Sequence, residues 1–152
     1  MRILVDADAC PVKEIIIRYA KLYNIETIFY FDTSHIYEND FVKVVTVSKG
    51  NDAVDMKLLS DCEMDDICIT NDYGLASLLL TKTTKLVSFG GLIYSNQNID
   101  FLLSTRYLAS KMRKANRRVK GPKKRTVTDD TKFENSLKKI LKTLNEINKG
   151  NS

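Results

Sequence analysis

The sequence predicts an α/β protein with a mostly parallel central sheet, helices on both faces of it and further helices at the C-terminus. Three observations carry this. Short apolar runs rich in β-formers fall at residues 3–5, 27–31, 41–47, 67–70 and 86–89. The stretches between them place apolar residues at helical spacing, so strands and helices alternate through crossover connections. From Asn98 onward the pattern is helical alone.

Ile3-Leu4-Val5 is a buried strand ending in Asp6, and Pro11 stands where a helix can begin, because proline is tolerated in a first turn. Val12, Ile15, Ile16, Tyr19, Ala20 and Tyr23 share a helical face, and Asn24 ends that helix. The strand at 27–31 leads through a polar loop (Thr33, Ser34, Glu38, Asn39, Asp40) to the strand at 41–47. Residues 48–52 are loop chemistry, and Val54, Leu58 and Leu59 give helical spacing over 53–62. Ile67-Cys68-Ile69-Thr70 is a second short buried strand, closely followed by Asp72. Residues 74–80 read as a short apolar helix, and Gly90-Gly91 ends the strand at 86–89. Phe101, Leu102, Leu108 and Met112 can share a face of the next helix, which Gly121-Pro122 breaks. A basic loop at 122–128 precedes a terminal helix at 128–148, with Phe133, Leu137, Ile140, Leu141, Leu144 and Ile147 on one stripe. Thr131 and Glu134 have capping-box spacing near its start.

A chain of 152 residues is sized for a single domain, and 43% hydrophobic residues are too many for a disordered one. No apolar run approaches the ~20 residues that cross a bilayer, and the N-terminus enters an acidic segment without a signal-peptide core. The expectation is a soluble cytoplasmic protein with no membrane partner. Cys10, Cys62 and Cys68 form no CxxC pair and read as reduced thiols. With one histidine, His35, the composition speaks against a structural zinc site and against histidine-based triads. The net charge of +5 is asymmetric. Residues 1–103 hold nine Lys/Arg against fifteen Asp/Glu, an acidic body; residues 104–152 hold fifteen against four, a basic helical segment.

The candidates for chemistry are Asp6, Asp8, Asp52, Asp55 and Asp72. Asp6 ends the first strand, Asp72 follows the strand at 67–70, and Asp52 and Asp55 open the helix leading into that strand. Carboxyl ends of parallel strands lie on one edge, where ligands bind, so the topology gathers these acids towards one pocket. Crowded carboxylates repel one another, and a hard divalent cation, Mg2+ or Mn2+, neutralises them and can activate water against a phosphodiester. Taken singly, each aspartate also fits a helix cap or a loop. Thr70, Asn71 and Ser88 offer hydroxyl and amide groups beside the pocket. Cys10 reads as a small buried thiol, and Lys13 as an exposed helix residue able to reach a phosphate at the pocket edge.

The opening Val5-Asp6-Ala7-Asp8-Ala9-Cys10-Pro11-Val12-Lys13 is similar to the signature of the bacterial YaiI/YqxD family. The resemblance continues through Asp52-Ala53-Val54-Asp55, Thr70-Asn71-Asp72 with Leu75-Ala76, Tyr94-Ser95 with Asn98-Ile99, Met112-Arg113, Gly121-Pro122, and Asp130 with Phe133. It implies a PIN-like three-layer α/β/α sandwich with an acidic metal pocket. Carried over by position, Asp6, Asp55 and Asp72 match a PIN-like acidic triad, with Asp8 and Asp52 as neighbours. Gly90 and Thr131 stand where that family often has arginine, and Asn71 where it usually has glutamine.

The basic segment contains Arg106, Lys111, Arg113, Lys114, Arg117, Arg118, Lys120, Lys123, Lys124 and Arg125, a natural partner for phosphate backbones. Tyr94 and Tyr107 could stack on bases or pack against the core. The run could equally be a solvated face or a dimer contact. Together these features point to a Mg2+- or Mn2+-dependent nuclease acting on RNA, an endoribonuclease. In it Asp6, Asp55 and Asp72 are catalytic, all five aspartates bind metal, and Thr70, Asn71, Ser88, Lys13, Arg113, Arg117, Arg118 and Lys123 meet the substrate. Two alternatives stay open: a haloacid-dehalogenase-like phosphatase using Asp6 and Asp8, and a non-catalytic RNA-binding module.

Overall fold

Strand β1 (Ile3–Asp6) is apolar on both sides, with Ile3, Leu4 and Val5 wholly buried, and it occupies the centre of the sheet. The structure is a computed structural model that describes every residue except 49, 51, 116–122 and 151–152. On one side of β1 lie β2 (Thr27–Asp32) and then β3 (Lys43–Val47); on the other lie β4 (Ile67–Ile69) and then β5 (Leu86–Val87). All neighbouring pairs are parallel, with Val5 beside Phe29 and Ile69.

Side chains alternate across the sheet and build two cores. On one face Val5, Phe29 and Ile69 meet α1 (Lys13–Tyr23), through Ile16 and Ile17, and α5 (Val127–Gly150), through Phe133 and Leu137. On the other, Leu4, Tyr30 and Cys68 meet Leu58 of α2 (Ala53–Asp61), Leu75 and Leu79 of α3 (Tyr73–Leu79), and Ile99 of α4 (Asn96–Lys114). The three-layer α/β/α sandwich that the family resemblance implies is therefore present, and its sheet is parallel throughout. No helix among the described residues is long and apolar enough to cross a membrane.

Several local expectations need correction. β5 stops at Val87, because Ser88 turns the chain: its N–H donates to Leu92 O, Gly91 N–H donates to Ser88 O, and Ile93 returns as an antiparallel bridge to Val87. Helix α4 starts at Asn96, fixed by a reciprocal capping box between Ser95 and Asn98. Of its apolar stripe Leu102 packs against the core, whereas Phe101, Leu108 and Met112 are 69%, 58% and 43% exposed among the described residues. Helix α5 starts at Val127, and the reciprocal cap is Thr126 with Asp129, not Thr131 with Glu134. Glu134 instead accepts from Arg18 and from the Tyr19 hydroxyl, tying α5 to α1. The helix-breaking Gly121-Pro122 lies outside the described residues.

Candidate metal centre

The chain lays down β1, β2 and β3 outward in one direction, then α2 carries it back to β4 on the far side of β1. The strand order reverses between β1 and β4, and a crevice opens at the carboxyl ends of such a pair. β1 delivers Asp6 to it, and the turn after β4 delivers Thr70, Asn71 and Asp72. Asp6, Asp8, Asp32, Asp52, Asp55 and Asp72, with Gly50 and Val54, line one cavity of about 260 Å³. The structure thus brings together all five sequence-predicted carboxylates and adds Asp32.

Each acid is held by the backbone that carries it. The Thr70 hydroxyl donates to Asp6 Oδ2 at 2.8 Å and accepts the Asp72 N–H at 3.0 Å, so one buried side chain links the two strand ends. The Tyr94 hydroxyl donates to the Thr70 carbonyl at 3.0 Å from the core below. Thr70 therefore fixes the Asp6 carboxylate and the Asp72 backbone relative to each other. Asp72 is the N-cap of α3, accepting the Leu75 N–H at 3.1 Å, and the same Oδ1 lies 3.3 Å from Arg106 Nη1. Asp72 thus caps α3 and lines the acidic cavity at once. Asp52 precedes α2 with φ 64, a left-handed conformation that Asp tolerates better than most residues, and its side chain makes no capping bond.

This crowding is visible in the acidities. Burial raises the pKa of Asp6, the Thr70 hydrogen bond opposes that, and the charges of Asp8 and Asp72 add to it. Burial also pushes Asp55 up, to about 6, reinforced by the charges of Asp72, Asp6 and Asp52. A carboxyl with a raised folded pKa binds more protons folded than unfolded between the ordinary value near ~4 and the folded one. The metal-free protein should therefore lose stability as pH rises through about 4 to 6, Asp55 being the main contributor. Thermal melts in a chelator should show a lower Tm at pH ~7.5 than at pH ~5, and Mg2+ should narrow that difference. The donors are all carboxylate oxygens, a set that fits a hard divalent ion such as Mg2+ or Mn2+.

Asn71 and Ser88 line a neighbouring cavity of about 510 Å³ on the β4–β5 side, together with Lys123 and Arg125. Asn71 Oδ1 accepts the Phe89 N–H at 2.9 Å, and Ser88 Oγ accepts the Leu92 N–H at 2.9 Å, so both also fix the turn after β5. Arg125 donates to Phe89 O at 2.7 Å and to Asp130 at 2.8 Å. Lys13 Nζ donates to the Cys10 carbonyl at 2.6 Å, closing its own turn. Burial lifts the Cys10 thiol to about 11, which keeps it neutral and unreactive. Arg113 is exposed near the end of α4, and Arg117 and Arg118 lie outside the described residues. The sequence reading missed three neighbours of the site: Asp32, His35 and the contact of Arg106 with Asp72. His35 Nδ1 lies 2.9 Å from Asp8 Oδ1 and 3.5 Å from Asp32 Oδ1.

Comparison with known proteins adds a family. The model described as "Uncharacterized BCR, YaiI/YqxD family" matches residues 4–143. A UPF0178 protein from Lachnoclostridium phytofermentans is 47% identical over 147 residues, covering 95% of this chain and 99% of its own. A UPF0178 protein from Ruminiclostridium cellulolyticum is 45% identical over 146 residues, covering 96% and 95%. Among solved structures, that of Rae1 (YacP) from Bacillus subtilis, a W164L mutant, is similar at 15% identity and a TM-score of 0.44, over 76% of this chain and 84% of that one. So loose a likeness carries no argument about chemistry.

Proposed function

The chain belongs to the YaiI/YqxD family, and we propose that it is a divalent-metal-dependent nuclease that hydrolyses phosphodiester bonds, with RNA as its substrate. The observation that supports this most is the convergence of Asp6, Asp55 and Asp72, with Asp8 and Asp52 at their side, on one cavity at the reversal of strand order. Mg2+ or Mn2+ held by those carboxylates supplies the Lewis acidity that phosphodiester hydrolysis needs. The chain's own groups prepare the place. Thr70 fixes Asp6 and the backbone of Asp72 relative to each other. Burial first, and then the charges of Asp72, Asp6 and Asp52, make Asp55 hold a proton more firmly than an ordinary carboxyl, and neutralising those charges loosens it.

Beside the acids, Lys123 and Arg125 line the second cavity, and Arg106 and Arg113 project from α4. Cations so placed can grip the phosphates flanking a scissile bond while carrying no sequence information. Labelled single-stranded RNA should be cut in Mg2+ or Mn2+ and stay intact in EDTA. Lys123→Ala and Arg113→Ala should raise KM and make its salt dependence shallower, with little change in kcat. RNA and DNA that both survive either metal would overturn the reading.

A further inference from the structure

We propose that Asp8, Asp32 and His35 form a second cation site, which takes a divalent transition-metal ion such as Zn2+ in preference to Mg2+. The three residues come from two places at the strand edge: Asp8 from the loop after β1, and Asp32 and His35 from the end of β2 and the single turn that follows it, in which the His35 N–H donates to Asp32 O at 3.2 Å. One ligand atom from each lies within 4.8 Å of the other two. His35 Nδ1 stands 2.9 Å from Asp8 Oδ1 and 3.5 Å from Asp32 Oδ1. Ligands bound at ~2.0–2.2 Å on one tetrahedral or octahedral ion are separated by roughly 3.0–3.5 Å. The imidazole and the carboxylates therefore already stand near the spacing of a coordination sphere.

Contacts behind the ligands fix their directions, as metal ligands require. The Asp32 N–H donates to Asp8 Oδ1 at 3.2 Å, and the Ser34 N–H donates to Asp32 Oδ1 at 2.8 Å. The His35 ring tilts against buried Phe31, centroid to centroid 5.9 Å. One imidazole nitrogen with two carboxylates is a mixed N,O donor set. Mg2+ and Ca2+ favour oxygen alone, whereas imidazole suits Zn2+ and its neighbours in the first transition row. Three protein ligands, with His35 about half exposed, leave positions open to water or a substrate oxygen. Asp8 also lines the acidic cavity, so the second site shares a wall with the first. The inference does not depend on the nuclease reading, because its donors include an imidazole that the acidic cavity lacks.

The competing arrangement is a protonated imidazole bridging two carboxylates with no metal. His35 is the only histidine, so the ring signals of 15N-labelled protein belong to it alone. Zn2+ should shift the Nδ1 resonance to saturation near one equivalent by the large change of direct coordination, while Mg2+ in tenfold excess, reaching the ring only through Asp8, does not produce that shift. Asp32→Asn and Asp8→Asn, each checked for an intact amide spectrum, should weaken Zn2+ at His35 by about tenfold or more. Asp72→Asn, on the far side of the acidic cavity, should leave the His35 response intact. An Nδ1 resonance unmoved by saturating Zn2+, the same shift with Mg2+, equal affinity in Asp32→Asn, or a response lost in Asp72→Asn would each overturn the site.

Discussion

Replacing Asp72 by asparagine is expected to lower metal-dependent RNA cleavage by roughly 10²–10³-fold and, at the same time, to raise the Tm of the metal-free protein. The two effects separate the roles that Asp72 combines. Asparagine caps a helix about as well as aspartate, so the bond to the Leu75 N–H at the start of α3 survives. What is lost is the charge. Without it Asp55, held up to about 6 in part by Asp72, should titrate lower, and Asp6 loses one of the charges that raise it. The variant also gives up the 3.3 Å pair with Arg106, but both partners are substantially exposed, and such pairs are worth about 0–1 kcal/mol. Relief of crowding on the partly buried Asp55 and Asp6 is expected to outweigh that. Cleavage assays with Mg2+, together with melts in EDTA, check both halves. Unchanged cleavage would remove Asp72 from the site, and a lower Tm would show that its charge is compensated in a way the cavity does not suggest.

Gly91→Ala is expected to be the most destabilising small substitution at the strand edge, by about 2–5 kcal/mol. Gly91 has φ 89, and a Cβ there would stand 2.5 Å from the Lys132 carbonyl oxygen and 2.9 Å from Phe133 N. Those are backbone atoms of α5, which cannot swing aside as a side chain would. Room can come only by lifting the start of α5, where Phe133 and Leu137 are wholly buried against the sheet. The Ser136 hydroxyl donates to the Gly91 carbonyl at the same contact. Gly90→Ala is the control, because its Cβ would meet only Ser88 Oγ, at 3.9 Å. Chemical denaturation of the two variants should give a large loss for Gly91→Ala and a change within about 1 kcal/mol for Gly90→Ala. Similar losses in both would mean that α5 does not press on this turn.

Much of the site could be read from the sequence because a parallel sheet has one chemical edge. Once strands and helices alternate, an acid ending one apolar run and an acid just past another must approach if those strands are neighbours, as β1 and β4 are. The same rule would have found Asp32, which directly follows the apolar run 27–31 just as Asp6 follows Ile3-Leu4-Val5. What hides it is the polar stretch that follows, in which an aspartate is ordinary loop chemistry. His35 carries no such signal. It lies in a loop without periodicity, and the pairing of β1 with β2 is what brings it to Asp8. Arg106 reaches Asp72 only because α4 packs beside α3, a long-range contact that no local pattern encodes. The misplaced cap of α5 has a different cause. Thr126 with Asp129 and Thr131 with Glu134 share one spacing, and tertiary contacts decide between them by committing Glu134 to Arg18 and Tyr19. On α4 the helical period was legible, but period alone does not say whether an apolar stripe is covered.

The measurement that bears most directly on the acidic cavity is a calorimetric Mg2+ titration at pH ~6, run in buffers of different ionisation enthalpy, on the unmodified protein and on Asp6→Asn. Because burial and the charges of its neighbours lift Asp55 to about 6, binding of a cation should release protons, and Asp6→Asn should bind far more weakly. A Mg2+ isotherm that is the same in both proteins, or that carries no proton release, would contradict a metal centre built from these carboxylates.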